Sequence, residues 1–161
     1  MIFGCRVIEN ETPHEAGRAL LAALYRNAFG SALPPIRTTD RGKPFFEHGG
    51  VHFSITHTRR HAFVVLSDRP VGIDAEEPDR IVKPQLAQKI LSPGELAQYE
   101  AAPDRNRALL TFWVLKEAQV KCTGEGLRGY PNHTDFSLDD PRVFEHGGCL
   151  VAIIEEEPHA V

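Results

Sequence analysis

The chain has 161 residues, 42% hydrophobic and 25% charged, a mixture that suits one compact unit and excludes disordered and fibrous classes. A formal net charge of −4 gives no general attraction to nucleic acid or acidic membranes, so an anionic ligand would have to be held by locally placed cations. Cys5, Cys122 and Cys149 are odd in number and too widely spaced for a metal clip, which points to free thiols in a reducing cytosol. Apolar runs such as Ala62 to Leu66 are too short to span a bilayer and the amino terminus lacks a signal-peptide pattern, so a soluble, cytoplasmic protein is expected.

In chain order, Ile2 to Ile8 reads as a strand. Thr12, Pro13 and Glu15 then make a capping box with proline at the first helical position. The helix is expected to run to about Phe29, with Leu20, Leu21, Leu24 and Ala28 as its apolar stripe and Gly30 as its stop. Residues Ser31 to Arg41, with Pro34 and Pro35, read as a connecting loop. Lys43 to Phe46, a Gly49-Gly50 turn and the alternating Val51, Phe53 and Ile55 read as a hairpin. His61 to Ser67 is apolar on both faces and is expected to be a central strand, followed by a turn at Asp68-Arg69-Pro70 and a strand from Val71 to Glu76.

A short helix is expected around Gln85 to Ile90. A second capping box, Ser92-Pro93-x-Glu95, starts a helix through Tyr99. From Asn106 to Cys122 runs a helix apolar nearly all round its first three turns, ended by Gly124, and Thr134 to Glu155 reads as two or three strands. Phe46-Glu47-His48-Gly49-Gly50 recurs as Phe144-Glu145-His146-Gly147-Gly148. Gly-Gly suits tight hairpins in general, but the repeat modestly favours two related halves.

Asp74 and Glu76 are two apart in an extended segment, so their carboxylates share a face, where a hard divalent ion bound to phosphate oxygens would relieve their repulsion. Taken alone, the pair is more often a solvated strand end, since Glu77 and Asp79 follow. Glu117 and Lys121 are four apart on one face of the long helix, with Trp113 and Leu110. As an isolated surface pair they would contribute only a few tenths of a kcal/mol, but with Lys116 they follow a helix buried on most sides, where charges need a cleft or a helix end. Lys43, His57, Arg59 and Arg60 lie in or beside turns and could converge on an anionic ligand. The His57 to His61 spacing lacks a helical frame and a third ligand, so zinc is not expected.

Gly42-Lys43-Pro44, Phe53-Ser54-Ile55-Thr56-His57-Thr58, Gly72-Ile73-Asp74-Ala75-Glu76, Trp113-x-x-Lys116-Glu117-Ala118-x-x-Lys121 and Gly124-Glu125-Gly126-Leu127 stand in an order and spacing that together resemble the 4′-phosphopantetheinyl transferase family. The lysine-proline and histidine segments are similar to its surfactin-synthetase-activating branch. The chain is shorter than typical members of that branch, with the shortening expected in the amino-terminal lobe, and His61 stands where an aromatic residue is common. The resemblance implies an α+β fold of two similar lobes, residues 1–70 and 71–161, related by a pseudo-twofold axis within one compact monomer.

It further implies Mg²⁺ held by Asp74, Glu76 and Glu117, and coenzyme A as substrate, contacted by Lys43, His57 and Lys116, with a merely local ion pair as the alternative for Lys116. The 3′-phosphate is the expected partner of Lys43 and His57. Glu117 would accept the proton of a carrier-protein serine, Lys121 would assist the departing phosphate, and 3′,5′-ADP would leave. Alternatives are a relative that binds coenzyme A or a carrier protein without transfer, and a homotrimeric carrier synthase with its site between subunits.

Overall fold

Each half of the chain opens with a strand, passes through helix and closes with antiparallel strands; the computed structural model describes residues 1–126 and 134–158. The first half runs β1 (Ile2–Val7), α1 (Pro13–Phe29), β2 (Ile36–Thr38), β3 (Pro44–Phe46), β4 (His52–His57) and β5 (His61–Ser67). The second runs β6 (Val71–Glu76), α2 (Gln85–Ile90), α3 (Pro93–Ala101), α4 (Arg105–Thr123), β7 (Val143–His146) and β8 (Cys149–Glu155). One sheet has the order β1-β5-β4 and another β6-β8-β7, so in both the last strand is central, the first lies at one edge and the penultimate at the other. All these pairings are antiparallel.

The sequence repeat does not mark this shared topology. Gly147-Gly148 forms the two-residue turn of the β7–β8 hairpin, with φ of 59° and 73°, the left-handed pair that a type I′ turn requires. Gly49-Gly50 instead lies in the passage from β3 to β4, strands that do not pair. The expected hairpin of Lys43–Phe46 with the strand after Gly50 is therefore corrected: β3 pairs with β2, inside the segment read as a loop. Pro34 and Pro35 precede β2 and leave its amide donors free for the ladder, which is why prolines there do not exclude a strand.

Alternation along the strands builds the layers. On β5, Val64 and Leu66 pack with Leu20 and Leu21 of α1, while Phe63 and Val65 meet Val71 and Ile73 of β6 and Val151 and Ile153 of β8. On β8, Leu150, Ala152 and Ile154 turn the other way, to Leu109, Phe112 and Leu115 of α4. The sheets thus face one another between α1 and α4, and β5 is apolar on both faces because both are covered. Capping boxes at Thr12 and Ser92 start α1 and α3, and left-handed Gly30 and Gly124 end α1 and α4, as expected from the sequence.

This layering also fixes the face of β6 that meets α4. Val71, Ile73 and Ala75 enter the intersheet core, which leaves Gly72, Asp74 and Glu76 on the opposite face. A Cβ at Gly72 would stand 1.9 Å from the carbonyl oxygen of Ala118 and 2.4 Å from the amide nitrogen of Cys122, so the helix backbone lies directly on the strand. Gly72→Ala is expected to force α4 away and to destabilise the fold by about 1–3 kcal/mol, read as a lower midpoint in urea unfolding.

Candidate active site

β6 and α4 run in opposite senses, which brings Asp74 beside Lys121 near the end of the helix and Glu76 beside Trp113, about two turns earlier. The Lys121 ammonium donates to Asp74 Oδ1 at 2.8 Å and to the carbonyl of Ile73 at 3.1 Å. Thr56 of β4 donates its hydroxyl to the same Oδ1 at 3.2 Å, and Ser54 Oγ accepts from the Ile73 amide at 3.1 Å. Side chains of β4 therefore stitch the first half to β6 where the two sheets adjoin. Asp74 is only 7% exposed, and its second oxygen, Oδ2, is buried without a hydrogen-bond partner among the described residues. Such an atom is costly unless a cation or a donor completes it.

Burial raises the Glu76 carboxyl above its usual range; the Arg80 guanidinium opposes this, the nearby Asp74 charge adds to it, and a hydrogen bond from the Trp113 side chain counters it. Arg80 pairs with Glu76 and lies 5.8 Å from the centre of the Trp113 ring. Glu117 is half-buried and sits midway between Trp113 and Lys121 at helical spacing, on the face that meets Asp74 and Glu76. Asp74 and Glu76 of β6 and the facing position of Glu117 on α4 thus lie along one helix–strand seam. Among the described residues no three His, Cys, Asp or Glu side chains are grouped to hold a metal ion; Lys121 neutralises Asp74 and Arg80 neutralises Glu76. The donor set nevertheless fits a hard divalent cation: the buried Asp74 oxygen lacks a partner, and carboxylate oxygens are the ligands such an ion takes.

Two clefts flank β4, one between it and the end of α4, the other between its last residue and the end of β6. One, of about 250 Å³, is lined by Lys43, Phe53, Ser54, Ile55, Val120 and Lys121. The other, of about 620 Å³, is lined by Pro13, His57, Arg59, Glu76, Glu77 and Arg80. Lys43 acts on His52, the first residue of β4, whereas His57 is the last. Lys43 lines the first cleft and His57 the second, although a single phosphate is expected for both. Lys43 donates to the Cys122 carbonyl at the end of α4, and burial lowers its pKa.

Arg59 and Arg60, expected beside an anionic ligand, are both held at Glu77. Both pair with the buried carboxylate of Glu77, and Arg59 reaches Asp79 at 3.1 Å, clamping the β4–β5 turn to the segment after β6. For Glu77, burial works to raise the pKa, but the hydrogen bond and charge of Arg59 outweigh it and hold the group below its usual range.

Lys116, expected either to contact coenzyme A or to form only a local ion pair, is turned into the core. It is 1% exposed and pairs at 2.8 Å with the fully buried Glu95. Glu95 also accepts from the Ser92 and Phe136 amides, each at 2.9 Å. The charge on an all-round buried helix thus found a buried partner rather than a cleft. Leu127, which completes the glycine-rich run after α4, lies outside the described residues.

Arg80 was not singled out from the sequence. Its signal was slight: the one cation closing the acidic run Glu76-Glu77-Pro78-Asp79.

An α+β protein of two topologically matched halves, with acidic and cationic side chains gathered where β4, β6 and α4 meet, is the class that fold and site define. Residues 70–151, half of the chain, match the model of the 4′-phosphopantetheinyl transferase superfamily, and the chain belongs to that family. It is similar to the 4′-phosphopantetheinyl transferase psf-1 of Bacillus pumilus, 31% identical over 69% of this chain and 49% of the relative. It is also similar to the 4′-phosphopantetheinyl transferase HetI of Nostoc sp., 28% identical over 74% of this chain and 54% of the relative. With gsp of Aneurinibacillus migulanus the identity is 29% over 56% of this chain and 38% of the relative. The aligned part of this chain thus spans about half, or less, of the length of these relatives. No helix among the described residues is long and apolar enough to cross a membrane.

Proposed function

We propose that this chain is an enzyme of the surfactin-synthetase-activating type that moves the 4′-phosphopantetheine group of coenzyme A to a serine of an apo acyl or peptidyl carrier protein. The observation that carries this reading is the Asp74–Lys121 pair: a buried carboxylate with one oxygen unpartnered and a lysine at its side, on a seam that also holds Glu76 and Glu117. Asp74, Glu76 and Glu117 would hold Mg²⁺, which when bound neutralises charge on the diphosphate oxygens.

Glu117 accepts the serine proton, directly or through water, as serine Oγ bonds to the β-phosphorus. The bond from that phosphorus to the bridging oxygen breaks, and 3′,5′-ADP leaves with Lys121 stabilising its new phosphate oxygen. Lys43 and His57, which line separate clefts, contact separate parts of a long ligand, which the extended shape of coenzyme A allows. The shared strand order supports two lobes, residues 1–70 and 71–161, about a pseudo-twofold axis; a monomer in the cytoplasm is part of the same proposal. Labelled coenzyme A, incubated with Mg²⁺ and an apo-carrier, is expected to mark the carrier and to leave its serine-to-alanine variant unmarked; marking of both would refute serine transfer.

A further inference from the structure

Arg80 occupies a carboxylate that the proposed chemistry needs for another cation, and the fold holds it there deliberately. Its carbonyl accepts from the side-chain amide of Asn106 at 2.9 Å, and the Val82 amide donates to the Asn106 oxygen at 3.0 Å. The first turn of α4 thereby grips the chain on both sides of Ile81, and a turn bond from the Arg80 amide to the Glu77 carbonyl at 3.0 Å completes the hold. From this fixed backbone the guanidinium reaches Glu76 and lies by the face of Trp113. Yet the Arg80 side chain is 50% exposed while that of Glu76 is 15% exposed. The arginine can therefore swing into water with little disturbance to packing, whereas the carboxylate stays in the seam.

We propose that Arg80 is a positioning residue, a latch that competes with a divalent cation for Glu76. In the latched arrangement Glu76 is neutralised and directed to the guanidinium and Trp113. When the latch swings out, the same carboxylate is released toward Asp74 and Glu117. The residue thus sets how readily the seam takes up a divalent ion, and so ties that affinity to the loop between β6 and α2. This rests on the reading of Asp74 and Glu76 as cation ligands. Trp113 is the chain's single tryptophan, and its ring meets both the guanidinium and the Glu76 carboxylate. Its emission is therefore a built-in report of whether Arg80 is in place.

The test is a titration of the free protein with Mn²⁺, without coenzyme A or carrier, following bound metal by electron paramagnetic resonance and Trp113 by fluorescence. The wild-type chain is expected to bind Mn²⁺ with a change in emission as the guanidinium leaves the ring. Arg80→Ala is expected to bind about three- to tenfold more tightly, the order set by losing a partly exposed ion pair and a cation–π contact, with a smaller emission change. Arg80→Lys, which keeps the charge without the planar stack, is expected to fall between them. Equal Mn²⁺ affinity in wild type and Arg80→Ala, with binding still lost in Asp74→Ala, would overturn the latch and leave the ion site standing. Binding that is indifferent to Asp74, or absent altogether, would overturn both.

Discussion

Lys121→Ala is expected to lower transfer by about 10²–10⁴-fold, the range seen when a positioned proton donor or charge stabiliser is removed, while the circular-dichroism spectrum stays that of the native chain. Lys121 lies near the end of α4 with its side chain about a third exposed, so its loss opens no cavity in the core. The cost falls on the site. Asp74 loses its ion pair with Lys121 and keeps the Thr56 hydroxyl, so among the described residues a 7% exposed carboxylate is left with one oxygen partnered by a neutral donor and the other by none. Lys121→Arg keeps the charge but replaces a compact ammonium with a broad planar group, and is expected to recover only part of the rate. A Lys121→Ala protein that is folded and transfers at the wild-type rate would remove this lysine from the mechanism.

Glu95→Ala is expected to be among the most destabilising single changes in the chain, by about 3–5 kcal/mol, because it takes from the buried Lys116 ammonium the carboxylate it pairs with. Glu95 ties together the capping box that starts α3, the middle of α4 and the segment leading to β7. The stabilisation belongs to the completed set: removing one charge leaves the other without solvent or its counter-ion. The double variant Glu95→Leu with Lys116→Met is therefore expected to be much more stable than Glu95→Ala alone. Urea unfolding followed by Trp113 emission measures both, and a loss below about 1 kcal/mol for Glu95→Ala would contradict the buried pair.

Local signals carried most of the fold. The capping boxes at Thr12 and Ser92, the stops at Gly30 and Gly124, and the two-faced apolar run of β5 each follow from chemistry within a few residues, and the corresponding elements stand where expected. What was not legible depends on distant partners. The β2–β3 hairpin is only three residues a side and is hidden by the prolines before it. Lys116 meets a carboxylate twenty-one positions away on another helix, and nothing in its own neighbourhood announces that partner.

The repeated Phe-Glu-His-Gly-Gly run misled for a similar reason. Its two copies fall at topologically different places, and the likeness of the halves lies in strand order, which no short motif encodes. At the site, the alternation that sends Asp74 and Glu76 to one face was readable from β6 alone. The close approach of α4 through Gly72, the seam with Thr56 and the Arg80 pairing required the folded chain.

Whether the β6–α4 seam carries arm transfer is decided by intact-mass measurement of an apo-carrier after incubation with the chain, coenzyme A and Mg²⁺, with 3′,5′-ADP quantified from the same reaction. The account predicts one arm added per carrier with an equal amount of 3′,5′-ADP released, and neither product with Asp74→Asn. Carriers left at the apo mass across a panel of fatty-acid, polyketide and peptide types, or an arm added equally well by Asp74→Asn, would contradict it.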